Sequence, residues 1–342
     1  GPLHTSGRQS NTVWALCGNG RRHGSGAERQ YDPRWWPIGP KHPVTLARVW
    51  PFLVLLAMGA GWGMTIPLTK IAVSTGYQHF GLIFWQLAIC SVLLGVVQTL
   101  RGRWPKVTPA NLRLFLIIAL VGTILPNSAS YNAAIYLPGG VLSILISTVP
   151  MFAFPIALMM GNDRFQLRRL GGLVLGFIGV LILIGPEARL SESATIGFIL
   201  LGLVAPLFYG FEGNYVAKYG TQGLDPVETL LGACILGIIL IFPTTLASGQ
   251  WIDLGLPWSA PDYALFVSSL LHVFVYTTYV WLVGRVGSVF ASQVSYAVTL
   301  FAVFWSIILL GERPGLWFWG ALLIMLLGMF LVAPRRQTAS ID

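Results

Sequence analysis

From Val49 onward the sequence is a succession of apolar runs, each about the 20 residues that a helix needs to cross hydrocarbon, separated by short polar breaks. The runs fall near 50–73, 80–100, 111–131, 138–160, 168–185, 195–217, 226–248, 261–283, 288–310 and 315–333. The breaks are turn-forming: Arg101-Gly-Arg-Trp-Pro105, Asn162-Asp-Arg164, Pro186-Glu-Ala-Arg189, Asp225-Pro226, the longer 248–261 connection, and Gly311-Glu-Arg-Pro314. Lipid supplies no hydrogen bonds to bare backbone, so a chain of this kind spans as helices or as a closed barrel. No stretch alternates as a barrel strand does, and the expected fold class is therefore all-α integral membrane, with about ten transmembrane helices. Only 10% of the residues are charged, against about 25% in soluble domains.

The formal charge of +9 is explained by basic loops on one membrane side, so no nucleic-acid partner is expected. Alternating the spans from an N-terminus placed in the cytoplasm puts Arg101, Arg103, Lys106, Arg113, Arg164, Arg168, Arg169, Lys218, Arg285, Arg335 and Arg336 inside. Lys70, Arg189 and Arg313 fall outside. That bias predicts both termini in the cytoplasm of a multi-pass protein. Residues 1–45 differ in kind: Gly1-Pro2 resembles a protease-cleaved tag scar, and the Gly-, Arg- and Ser-rich stretch has no signal-peptide core. They are expected to be disordered or left by cloning.

A shift of 149 residues superimposes Asp163-Arg164 on Glu312-Arg313, Gly171 on Gly320, Gly179 on Gly328, and Phe152-Ala153 on Phe301-Ala302. A weaker echo relates Trp62-Gly63 and Lys70 to Tyr209-Gly210 and Lys218. These matches predict two five-helix repeats, 46–190 and 191–336. Five is odd, so the second copy enters the membrane upside down. Inverted repeats give one chain two pseudo-symmetric arrangements around a site near the midplane, which is the architecture of alternating-access carriers.

Gly61-Trp62-Gly63 with Lys70 at the end of the first span, the hairpin Leu310-Gly311-Glu312-Arg313-Pro314 followed by Gly320 and Gly328, and its counterpart from Asp163 to Gly179 resemble the EamA-type repeats of the drug/metabolite transporter superfamily. The resemblance covers about residues 50–333. Within it the chain is similar to the ten-span YddG-type exporters. That resemblance implies export of aromatic and other neutral amino acids across the bacterial inner membrane. The first repeat departs from the pattern, with Asn162-Asp163 and no proline after the arginine.

Polar residues inside spans are costly in lipid and point to a cavity or a partner. Glu212 is the only carboxylate well inside an expected span. Two readings stand for it: a group that binds a substrate amine or takes a proton, or a helix-end carboxylate paired with Lys218 or Lys70. Lys70 is either a snorkelling side chain or a cavity charge for a substrate carboxylate. Ser268, His272, Tyr276 and Tyr279 share one face of the eighth span, and Ser292, Tyr296 and Thr299 share one face of the ninth with Gln293 adjacent. These stripes either line a cavity or make interhelical hydrogen bonds. Trp85 with Gln86, and Asn127 with Tyr131, add rings next to amides, a combination suited to a zwitterion with an apolar side chain.

The expected substrate site combines Trp62, Trp85, Asn127, Tyr131, Glu212, His272, Tyr276, Gln293 and Tyr296, with Glu212 or Lys70 as the charge or coupling group. No cofactor is expected. Cys17, Cys90 and Cys234 stand alone, without metal-ligand or disulfide spacing. The sequence has no phosphate-cradling loop ending in Lys-Ser or Lys-Thr, no GxSxG elbow and no HExxH, so neither ATP-driven transport by this chain alone nor an enzyme is expected. Alternatives are a multidrug or nucleoside-type carrier of the same superfamily, and, further off, a channel or membrane-embedded enzyme. The expected partners are a small-molecule substrate and membrane lipid, with the chain a monomer or a weak homo-oligomer.

Overall fold

The computed structural model describes residues 46–190, 194–286 and 294–332. The expectations for residues 1–45 and for Gln293 lie outside the described residues. Every regular element among those described is helical: α1 (Leu46–Ala72), α2 (His79–Arg101), α3 (Pro109–Ile117), a π-helical turn (Ile118–Ile124), α4 (Leu125–Tyr136), α5 (Gly139–Ile146), α6 (Val149–Met160), α7 (Leu167–Leu190), α8 (Ala194–Gly202), α9 (Val204–Tyr219), α10 (Pro226–Ala247), α11 (Ala260–Val286), α12 (Val294–Leu310) and α13 (Leu316–Val332). Joined end to end where they continue, these make about ten spans. Spans 1 and 2 are α1 and α2, span 3 is α3 to α4, span 4 is α5 and α6, span 5 is α7, span 6 is α8 and α9, and spans 7 to 10 are α10 to α13. Six are long and apolar enough to cross a membrane by length and composition, and α12 and α13 are shorter apolar helices.

Proline accounts for the interruptions. Pro126 cannot donate to the carbonyl four residues back, that of Gly122, and the chain there widens into the π-helical turn. Pro150 follows the break at Ser147-Thr148, and Pro206 the break at Leu203. Span 3 runs five residues further than the apolar run that ends at 131, stopping at Tyr136 before Leu137-Pro138. On the lipid-facing side of α2, Val92, Val96 and Leu100 form a stripe at helical spacing and are exposed from the protein.

The helix packing obeys the repeat. Span 1 packs on spans 9 and 8, and its counterpart span 6 packs on spans 4 and 3; span 2 packs on span 8 as span 7 does on span 3; spans 2 and 7 pack on each other, as do spans 5 and 10. Exchanging the two halves leaves this pattern unchanged, which is the signature of a pseudo-twofold axis relating two inverted five-helix repeats. Without a hydrophobic drive between helices in lipid, close approach depends on small residues. A Cβ on Gly63 would lie 2.7 Å from the backbone nitrogen of Ala302, and one on Gly210 would lie 2.9 Å from that of Ala153. Gly172 and Gly328 bring spans 5 and 10 together in the same way, each facing the other's carbonyl oxygen.

Two bundles result, each drawing on both repeats: spans 1, 2, 8 and 9, and spans 3, 4, 6 and 7. They are joined along spans 2 and 7 at both ends. At the end nearer Leu46, called proximal here, Arg101 pairs with Asp225 at 2.8 Å. At the distal end Gln250 accepts from the Phe80 amide at 2.9 Å, and the Thr245 hydroxyl donates to the Phe80 carbonyl. The distal connection before α11 is pinned as well: Tyr77 donates to Asp262 at 2.7 Å. That hydrogen bond pushes the Tyr77 phenol up to about 12, so it remains a donor throughout the physiological range.

Candidate functional site

A chain of polar side chains crosses the interface between the bundles. Tyr209 on span 6 donates to Asn127 Oδ1 at 3.1 Å, Asn127 Nδ2 donates to Gln86 Oε1 at 3.1 Å, and the Tyr131 hydroxyl donates to the same Gln86 oxygen at 3.0 Å. Gln86 stands on span 2, in the bundle opposite the other three. Its amide nitrogen makes no hydrogen bond among the described residues and is left as a donor.

Glu212 lies three residues beyond Tyr209 on span 6, with its carboxylate against the α-carbon of Gly122 in the π-helical turn. A Cβ at 122 would meet both carboxylate oxygens and displace the acid from this position. The expanded turn and the missing side chain together form a notch that the acid occupies. Glu212 makes no hydrogen bond or ion pair among the described residues. It lies within electrostatic range of Tyr209 on its own span and of Tyr276 on span 8, across the bundle interface. Tyr276 stacks on His272 at 6.3 Å between ring centroids, and among the described residues no hydrogen bond engages either side chain. Among the described residues, an acid with its acceptors free thus lies near a Tyr276 hydroxyl that is not committed elsewhere.

The pairing of Glu212 with a lysine is not made. Lys218 donates to the Met160 carbonyl at 2.9 Å, and Lys70 donates to the carbonyls of Ala134 and Ile135 at 2.6 and 3.0 Å. Lys70 therefore neutralises the carbonyl end of span 3 and does not reach the central cluster. Trp85 is directed elsewhere too: its indole nitrogen donates to Ile252 at 2.9 Å, and its ring joins Phe84 and Trp251 under the distal connection. Trp62 packs among Met58, Val275 and the edge of Tyr279, on the seam between spans 1, 8 and 9. Tyr296 has a buried hydroxyl with no hydrogen-bond partner. Ser143 and Ser147, which the repeat overlays on Ser292 and Tyr296, are satisfied by carbonyls of their own helix.

The structure therefore brings together Asn127, Tyr131, Glu212, His272 and Tyr276 from the expected set and adds Gln86, Tyr209 and Gly122. Tyr209 was visible as the counterpart of Trp62 in the weaker repeat echo, and Gln86 as the neighbour of Trp85. Gly122 carried no signal, because a glycine in an apolar run is ordinary in membrane helices.

The EamA-like transporter family model matches residues 49–185 and again residues 196–333. The chain belongs to the EamA-like transporter family. It is similar to the uncharacterized transporter YvbV of Bacillus subtilis (strain 168), with 26% identity over 84% of this chain and 90% of that one. It is also similar to the uncharacterized inner membrane transporter YedA of Escherichia coli (strain K12), with 24% identity over 82% and 90%. A solved crystal structure shares the fold at 14% identity, with a TM-score of 0.53 over 82% of this chain and 96% of that chain. This EamA-like protein is thus a multi-pass membrane transporter, and family and relatives alike point to a transporter rather than an enzyme.

Proposed function

We propose that this EamA-like transporter is a secondary carrier that exports small metabolites with a protonated amine by alternating access, aromatic and other neutral amino acids foremost. The observation that carries the reading is Glu212, a carboxylate without a partner among the described residues, seated in the Gly122 notch at the interface between two bundles. An unpaired acid removed from bulk water gains most from an incoming cation, and an ammonium group supplies both the charge and three hydrogen-bond donors. Gln86 Nε2 and the Tyr276 hydroxyl, on the opposite bundle, offer donors to the acceptor end of the same molecule. A ligand held from both bundles moves with their rearrangement, as a carrier requires.

The two matched segments, 49–185 and 196–333, support repeat units near 46–190 and 191–336. The distribution of Lys and Arg supports cytoplasmic termini, with the proximal face inward, and a bacterial inner membrane location is in keeping with the relative YedA. A second reading, a carrier of lipophilic cationic drugs, is favoured by one feature: the described residues of the cluster include an acid and no lysine or arginine.

Counterflow in proteoliposomes tests both. Saturable exchange of labelled phenylalanine or threonine, lost in Glu212→Gln, is the expected result. Exchange of a cationic drug alone would move the protein to the second reading, and non-saturating flux of either would make it a channel.

A further inference from the structure

The two bundles do not meet evenly along their length. Span 3 touches spans 1 and 2 through its distal segment α4, and span 4 touches spans 1 and 9 through its distal segment α5. The proximal segments α3 and α6 find their principal neighbours inside their own bundle, on spans 7 and 6. Among the described residues, contact between the bundles, apart from the continuous pairing of spans 2 and 7, is therefore concentrated at the distal end.

Two charged side chains reach across at that end. Glu312, in the turn between spans 9 and 10, accepts from the backbone amides of Gly139 and Gly140 at 2.5 and 2.8 Å, at the start of span 4. Those amides are the unsatisfied donors at the N-terminus of α5, and a carboxylate there also meets the positive end of the helix. The two glycines leave this approach uncrowded: a Cβ on Gly140 would stand 3.1 Å from Glu312 Oε2, and one on Gly139 would stand 2.8 Å from the Ser306 hydroxyl. Lys70, at the end of span 1, donates to the last carbonyls of span 3, so it too runs from one bundle to the other. Glu312 and Lys70 lie within electrostatic range of each other.

The repeat supplies the comparison. Asp163 is the counterpart of Glu312 at the proximal end, and Lys218 is the near counterpart of Lys70. Asp163 accepts from its neighbour Arg164 at 2.8 Å and pairs with Arg169, both in its own repeat. Lys218 is held by Met160, inside its own bundle. Among the described residues, neither crosses between the bundles.

We propose that Glu312, assisted by Lys70, is the latch that holds the distal end of the carrier closed. The inference rests on the alternating-access reading but not on the identity of the substrate.

Spin-label distances in lipid nanodiscs test it, on the full chain carrying Cys17→Ser, since Cys90 and Cys234 are buried. Thr75→Cys with Tyr136→Cys reads the distal separation of the bundles, and Arg103→Cys with Phe165→Cys reads the proximal one; all four positions are exposed. Loss of a charge-assisted hydrogen bond in Glu312→Ala is expected to shift the distal equilibrium roughly tenfold toward a longer distance. Glu312→Asp should restore the short one, and Asp163→Ala should leave the distal pair unchanged. Glu312→Gln and Lys70→Met give the same reading if the alanine variant does not fold. Distal distances unchanged in all the Glu312 variants would overturn the latch, even with counterflow intact. Absent counterflow of the amino acids and of the cationic drug, alongside distances that respond to Glu312→Ala, would instead remove the proposed substrates and leave the latch standing.

Discussion

Span 1 and span 6 occupy equivalent places in the two repeats, and they differ where the chemistry lies. Each brings a glycine against the backbone of an equivalent alanine, Gly63 on Ala302 and Gly210 on Ala153. Each carries an aromatic residue one position earlier, Trp62 and Tyr209. Two residues beyond the glycine, span 1 has Thr65, whose hydroxyl is bound to the Trp62 carbonyl at 2.7 Å, and span 6 has Glu212, bound to nothing in the described protein. The facing spans differ in step. Gly122 and its π-helical turn open a notch for the acid in span 3, whereas span 8 runs as one uninterrupted helix past span 1. The duplicated part of the molecule is the close glycine packing, and the part that is not duplicated is the charge that the proposed substrate would meet.

The most damaging test of that contrast is Glu212→Gln beside Thr65→Ala. Replacing the carboxylate should lower exchange roughly 100-fold, the scale of a charged hydrogen bond in a dry site, while the threonine variant stays within a few-fold of the native rate; comparable losses in both would erase the distinction. Gly63→Val and Gly210→Val should each cost about 2 kcal/mol by overpacking against backbone, seen as matched falls in thermal stability in detergent. A fall at one position alone would mean that the two seams are not equivalent. Gly122→Ala should displace the acid and raise the KM of exchange about tenfold with little change in melting temperature, in line with a lost polar contact. Weakest of all should be Arg101→Gln. Its partly exposed pair with Asp225 is expected to contribute no more than about 1 kcal/mol, screened further by salt.

Some of the candidate site was legible before any geometry. Glu212 stood out because an acid in an apolar run is expensive wherever it points. Asn127 and Tyr131, four apart, share a helix face, and both in fact bear on Gln86. Trp85 and Lys70 misled for one physical reason: a long side chain at the edge of a span can turn toward a loop or a neighbouring helix end, and only the neighbour's position says which. The Ile252 carbonyl took the indole, and the end of span 3 took the ammonium.

By itself the sequence determined the membrane class, the number of spans, the duplication and hence the inversion. These follow from the local free energy of placing each apolar run in lipid and from an odd number of crossings. It also marked the acid. Which groups that acid faces, which of two homologous turns holds the bundles together, and which lysine is structural were decided only by the tertiary structure. Those outcomes depend on how each helix is rotated about its own axis. That rotation is set by contacts such as Gly63 on Ala302 and Gly210 on Ala153, between residues far apart in the chain.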